Sequence, residues 1–195
     1  LENSETIKIA QKELLTGIQD MLGVVPVVKL EIKGESNIII GSQANLNAEI
    51  KNELKSDFDK LNEEGFIIKS VSIKNKKQII ITGKNDVAVL YGAFNFLRIL
   101  QTNKSVKNLN STDSPKTNIR ILNHWDNLDR TVERGYAGFS LWNWQKLPDF
   151  IDQRYIDYAR ANASIGINGT VLTNVNANAL ILTPQYLEKV EALAY

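Results

Sequence analysis

From residue 118 onward the chain passes twice through the same order: an apolar strand, a loop, and an amphipathic helix. "NIRILNH" is followed by a long aromatic loop and the helical stretch "DQRYIDYARANASIG". "INGTVLTN" is followed by the loop "VNANALIL" and a helix opened by Thr183, with Pro184 in its first turn. Residues suited to function fall just after each strand, where a (β/α)8 barrel carries its active site. Two units cannot close a barrel. Residues 118–195 therefore read as the first two β/α units of a truncated (β/α)8 TIM barrel, cut off at Tyr195.

Residues 103–117, within "TNKSVKNLNSTDSPKT", are polar and turn-rich, which predicts a linker. Residues 1–102 read as an N-terminal α/β sandwich domain, with helices packed on a sheet. Ile7, Ala10, Leu14, Ile18 and Leu22 recur at helical spacing, between an N-cap at Ser4 and a stop at Gly23. "VPVVKLEI" and "SNIIIGS" read as strands separated by a turn around Gly34. One charged helix is expected over residues 47–62, and "GFIIKSVSIKNKKQIIITG" reads as a hairpin with the solvated run "KNKK" as its turn. "NDVAVLYGAFNFLRIL" predicts a long helix opened by Asn85 or Asp86.

Composition removes several classes of function. The net charge is +1, from 23 basic and 22 acidic residues, so no electrostatic footprint for nucleic acid or an anionic membrane is present. No apolar run approaches the length of a membrane span. The absence of cysteine excludes disulfides, thiolate zinc sites and a thiol nucleophile. With one histidine a multi-histidine metal centre is impossible, and no Gly-x-Ser-x-Gly elbow accompanies it. The glycines of "ERGYAG" do not form a phosphate cradle after a strand. No cofactor and no metal are expected. The chain opens on Leu1 without a signal-peptide pattern, which reads as a processed or trimmed product. A bacterial periplasmic or extracellular setting is favoured over the cytoplasm.

One segment, "NHWDNLDRTVERGYAGFSLWNW", holds the only histidine, His124, and all three tryptophans, Trp125, Trp142 and Trp144. Aromatic faces beside carboxylates, guanidinium groups and amides are what sugar recognition needs: the ring packs on a pyranose C–H face and the polar groups bond its hydroxyls. Arginine can also take a substrate carboxylate as a bidentate pair. Other readings stay open. Trp142 and Trp144 could anchor the loop. Asp126, Asp129 and Glu133 could be a catalytic carboxylate set or loop-ordering partners of Arg130 and Arg134. His124 could be a strand-end residue bonded to backbone, and Asn174 and Asn176 turn formers or ligand contacts.

"LNHWDNLDRTVERGYAGFSLW" resembles the signature stretch of the family 67 glycoside hydrolases, the microbial α-glucuronidases, and "ASIGINGTVLTNVNA" resembles the segment that follows it. "IIITGKNDVAVLYGAFNFLRILQ" is similar to the strand and helix closing the N-terminal domain that α-glucuronidases share with some hexosaminidases. The resemblance implies inverting hydrolysis of the α-1,2 bond joining (4-O-methyl)-glucuronic acid to xylose in xylooligosaccharides. It implies that the catalytic acid and base lie beyond Tyr195, leaving this chain no catalytic residues. By motif position Trp125, Glu133 and Asn174 match the sugar site, with Arg134 and Asn176 beside them. One departure stands out: the family usually places a glycine after Asp-Asn-x-Asp, and here it is Arg130. Two other readings are a non-catalytic carbohydrate-binding or interaction module, and a hexosaminidase-type hydrolase with the same N-domain. Unpaired barrel strands make a homodimer a further expectation.

Overall fold

The computed structural model describes residues 4–30, 32, 34, 37–173 and 175–194. Two compact units divide the chain, Leu1–Lys116 and Thr117–Tyr195.

In the first unit, helix α1 (Glu5–Leu22) is capped by the Ser4 hydroxyl and ends at Gly23, whose φ of 66° and N–H bond to the Gln19 carbonyl make a left-handed stop. Strands β1 (Ile38–Ser42), β2 (Phe66–Ile73), β3 (Lys76–Gly83) and β4 (Asn110–Asp113) form one sheet in the order β1-β3-β2-β4. β1 runs parallel to β3; β2 is antiparallel to both β3 and β4. Helix α4 (Asp86–Gln101) opens at Asn85, whose side-chain oxygen accepts from the Ala88 N–H at 2.9 Å. With α1 it covers one face through Phe66, Ile68, Ile81, Val89 and Phe96. Gly92 permits the close approach of α4 to the sheet, because a Cβ there would lie 2.9 Å from Ile81 Cγ2. The other face is covered by α2 (Ala48–Glu53) and α3 (Lys55–Phe58) through Ile50, Leu54, Phe58, Ile67 and Ile80. This is an α/β unit with both sheet faces buried.

Four expectations change here. "VPVVKLEI" forms no strand in its described residues: Val25, Val27 and Leu30 are 70, 77 and 99% exposed. Pro26 removes a ladder donor, and strand propensity without a partner strand does not pair. Glu31 and Lys33 lie outside the described residues. The helix expected over 47–62 breaks at Leu54, where Asp57 N–H bonds back three residues to the Leu54 carbonyl while Leu54 itself is fully buried. The hairpin turn is two residues, Lys74 and Asn75, both at positive φ (50° and 61°), so Lys76 and Lys77 belong to β3. Residues 103–117, read as a linker, contribute β4. An edge strand needs only main-chain partners, and β2 offers them to residues with no apolar pattern.

The second unit carries two three-residue strands, β5 (Ile121–Asn123) and β6 (Gly169–Val171), paired in parallel with Ile121 opposite Gly169. Helix α5 (Gln153–Ser164), opened by Asp152, lies between them in sequence. A 3₁₀ turn at Ala179–Leu182 and helix α6 (Pro184–Ala194) follow β6. These are the two expected β/α units. Gly169 lets the strands meet, since a Cβ there would stand 2.6 Å from Ile121 Cγ2. The core of this unit comes from Leu128, Trp142, Trp144, Leu147 and Tyr155, with Tyr158, Leu172 and Tyr186 packed against it.

Candidate functional site

The loop after β5 is built as a small folded meander rather than an open excursion. His124 N–H bonds the Val171 carbonyl, extending the parallel ladder by one residue. Beyond it, Glu133 N–H donates to the Trp125 carbonyl at 2.7 Å and Asn127 N–H to the Thr131 carbonyl at 2.9 Å. The Asn127 side-chain amide donates to Thr131 Oγ1 and to the Glu133 carbonyl. Ser140 N–H bonds the Arg130 carbonyl, and Thr131 bridges Phe139. Trp125 and Glu133, eight positions apart, are thereby held opposite one another, with Trp125 46% exposed.

Tight turns in this meander require left-handed backbone at Arg130 (φ 74°) and Glu133 (φ 54°), as well as at Gly135 and Gly138. Arg130 keeps the conformation that glycine suits, at the steric cost a Cβ imposes there. Its Nε is also buried without a hydrogen-bond partner.

A buried polar chain underlies the exposed residues. Asp126, 3% exposed, accepts a 2.5 Å bond from the Ser140 hydroxyl, which in turn accepts from Trp142 N–H. His124 Nδ1 stands 3.7 Å from the same Asp126 oxygen, and its Nε2 shares a 2.6 Å hydrogen bond with the Tyr158 hydroxyl. The His124 imidazole thus bonds a tyrosine from α5, not the backbone. Trp142 packs against His124, Tyr155 and Tyr158 with ring centroids 5.3–5.6 Å apart. Trp144 is fully buried, and its carbonyl accepts from Lys189 Nζ of α6. Both tryptophans are therefore loop anchors.

The carboxylates order the loop, but through hydroxyl and amide groups: among the described residues none pairs with Arg130 or Arg134. Asp129 takes the Thr131 hydroxyl and N–H at 2.7 and 2.9 Å. Those bonds, the side-chain one foremost, hold its carboxyl below the ordinary 3.8. The nearby Glu133 side chain, more than burial, raises the Tyr136 phenol above its usual 10.0.

Of the expected site residues, Trp125 and Glu133 are joined through their main chains, and Arg134 is exposed one position further on. Asn176 lies in the exposed turn after β6, and Asn174 lies outside the described residues. Sequence reasoning passed over Tyr136, Ser140 and Tyr158. Tyr136 stands three positions after Glu133 in "ERGYAG", a spacing that signals its reach. Nothing local marks Ser140 or Tyr158. Among the described residues no three His, Asp or Glu side chains converge as a metal site.

The sequence matches the profiles of two glycosyl hydrolase family 67 regions, the N-terminus over residues 1–96 and the middle domain over residues 99–195. It is 34% identical over 195 residues to a probable alpha-glucuronidase A of Aspergillus terreus, covering 96% of this chain and 22% of that protein. Alpha-glucuronidase A of Emericella nidulans is 32% identical over 196 residues, with the same two shares covered. The chain thus spans about a fifth of the length of these curated relatives. Among solved structures, a family GH115 4-O-methyl-alpha-glucuronidase, BtGH115A, described as specific for decorated arabinogalactans, shares the fold. Its TM-score is 0.61 at 14% identity, covering 96% of this chain and 26% of that one. With both regions matched along its length and its aromatic loop folded as one hydrogen-bonded unit, the chain belongs to glycosyl hydrolase family 67.

Proposed function

We propose that the chain is part of an inverting α-glucuronidase that removes (4-O-methyl)-glucuronic acid α-1,2-linked to xylose in xylooligosaccharides, outside the cytoplasm. The observation carrying this reading is the main-chain pairing of half-exposed Trp125 with Glu133, just beyond the C-terminal end of a parallel strand pair. There an indole face can pack on a pyranose while a carboxylate bonds its hydroxyls. Arg134, Asn174 and Asn176 complete that wall on this reading, with Arg134 suited to the uronate carboxylate. Residues 1–102 are the N-terminal domain, and 118–195 begin a (β/α)8 barrel whose further strands would pair with β5 and β6.

Inversion needs a carboxylic acid for the leaving oxygen and a carboxylate base on the opposite sugar face, roughly 6.5–9.5 Å apart. Neither Asp126 with Asp129 nor Asp129 with Glu133 fits. Asp126 is buried against Ser140, and Asp129 is tied to Thr131. The acid and base accordingly belong to barrel strands that these residues do not include. Purified chain should release no glucuronic acid from an aldouronic oligosaccharide. Robust release that disappears in Asp126→Asn or Glu133→Gln would overturn the assignment.

A further inference from the structure

The N-terminal unit has a cleft of its own. β4 stops at Asn110, opposite Lys69, whereas β2 continues to Ile73, so the last residues of β2 have no neighbour on that edge. Ser70 N–H still bonds the Leu109 carbonyl at 2.8 Å, and Leu109 N–H the Ser70 hydroxyl. Strand alternation turns the main-chain groups of Ser72 to the same side, where no further strand residue stands. Lys77 Nζ holds Asn108 at 2.7 Å and fixes the far wall. The result is a cleft of about 490 Å³, within the range of small-ligand sites.

Its lining is chemically one-sided. It contains two lysines, three asparagines and two serines, with no carboxylate and no aromatic ring. Lys69 is neutralised by Asp57 at 2.8 Å. Lys77 is not, and exposed Lys74, Lys76 and Lys107 flank it on the hairpin and beside Asn108. Among the described residues none of these four has a carboxylate within ion-pair distance. In a chain of net charge +1 this is a concentrated positive field at one edge of a sheet. Without a ring to stack on, a neutral sugar gains little here. An anionic ligand with many hydroxyls would satisfy both the ammonium groups and the asparagine and serine side chains.

We propose that this cleft docks a polysaccharide chain bearing uronic-acid carboxylates, giving the N-terminal unit a hold on the acidic polymer separate from the aromatic loop. The choice of a carbohydrate polyanion rests on the α-glucuronidase reading.

The test is native affinity electrophoresis of the chain at low salt with glucuronoxylan, the same polymer after carboxyl reduction, and a DNA duplex. The chain should be retarded by glucuronoxylan, with neither of the other two matching it. The double substitution Lys74→Glu with Lys107→Glu, at side chains making no hydrogen bond or ion pair among the described residues, should weaken retardation about tenfold with circular dichroism unchanged. Lys77→Ala should weaken it less. Equal retardation by the reduced polymer or by DNA overturns the proposal, as does full retardation of the double variant. Lysine-dependent retardation of the chain by glucuronoxylan, alongside a full-length protein without glucuronidase activity, would sink the enzyme reading and leave the docking site standing.

Discussion

The two units bury apolar surface in different ways. In the first, the sheet is the core: β2 and β3 pair along eight residues and have Ile67, Ile68, Ile80 and Ile81 fully covered. In the second, the strands pair over three residues, and Ile121, Leu122 and Val171 remain 39–47% exposed. There the core is a loop, held by Trp142, Trp144, Leu147 and Tyr155. The difference teaches that a two-stranded parallel pair is a poor core by itself, because a parallel strand is stabilised by neighbours on both edges and both faces. The aromatic loop, by contrast, brings its anchors with it. That is why the Trp125–Glu133 arrangement stands on only two β/α units.

The largest effect that tests this contrast is Trp144→Ala. Emptying a fully buried tryptophan position should cost about 3–5 kcal/mol and unravel the loop core. All three tryptophans lie in the second unit, so their fluorescence reports that unit alone. Native emission should be lost while amide protection along β2 and β3 persists. Survival of the native spectrum would mean that the strands, not the loop, carry the unit. Ser140→Ala comes next. It leaves the buried Asp126 carboxylate without its hydroxyl partner and should lower the second unit's unfolding free energy, measured by denaturant titration, by about 1–3 kcal/mol.

Much of this contrast is readable in the residues, and the part that is not has physical causes. Helix ends were legible because Ser4, Gly23 and Asn85 act locally, each through one side chain or one left-handed φ. The parallel strand order followed from the strand–loop–helix repeat. β4 was not legible, since edge pairing depends on an acceptor strand forty residues away and leaves no apolar pattern. "VPVVKLEI" misled in the opposite sense, carrying strand propensity without a partner. In the site, the aromatic crowding marked the loop as a unit of its own. It did not separate Trp125, half open, from Trp142 and Trp144, because burial is a property of the folded loop.

Smaller effects sharpen the loop's side of the comparison. Arg130→Gly should stabilise the second unit by about 1 kcal/mol despite the added chain entropy, by relieving a left-handed Cβ and removing an orphaned buried Nε. A loss of stability would show that the arginine repays its strain through contacts of its long stem. The smallest effect is on Asp129. Its lowered carboxyl pKa means that its contribution is present above the ordinary 3.8 and is lost as the pH falls through the depressed value. Thr131→Ala removes the principal bond, so a carbon-detected titration should show the Asp129 midpoint moving upward toward 3.8. An unmoved midpoint would mean that the Asp129 turn is not formed in solution.

The claim that the aromatic loop is one wall of an acidic-sugar site is tested most directly by following the three indole Nε1–H resonances during a titration. Glucuronic acid is added to the chain at millimolar concentrations, with xylose as the control. Trp125 should shift progressively with glucuronic acid and much less with xylose, while Trp142 and Trp144, closed inside the loop core, stay in place. A Trp125 signal that ignores glucuronic acid, or follows xylose equally, would contradict the account.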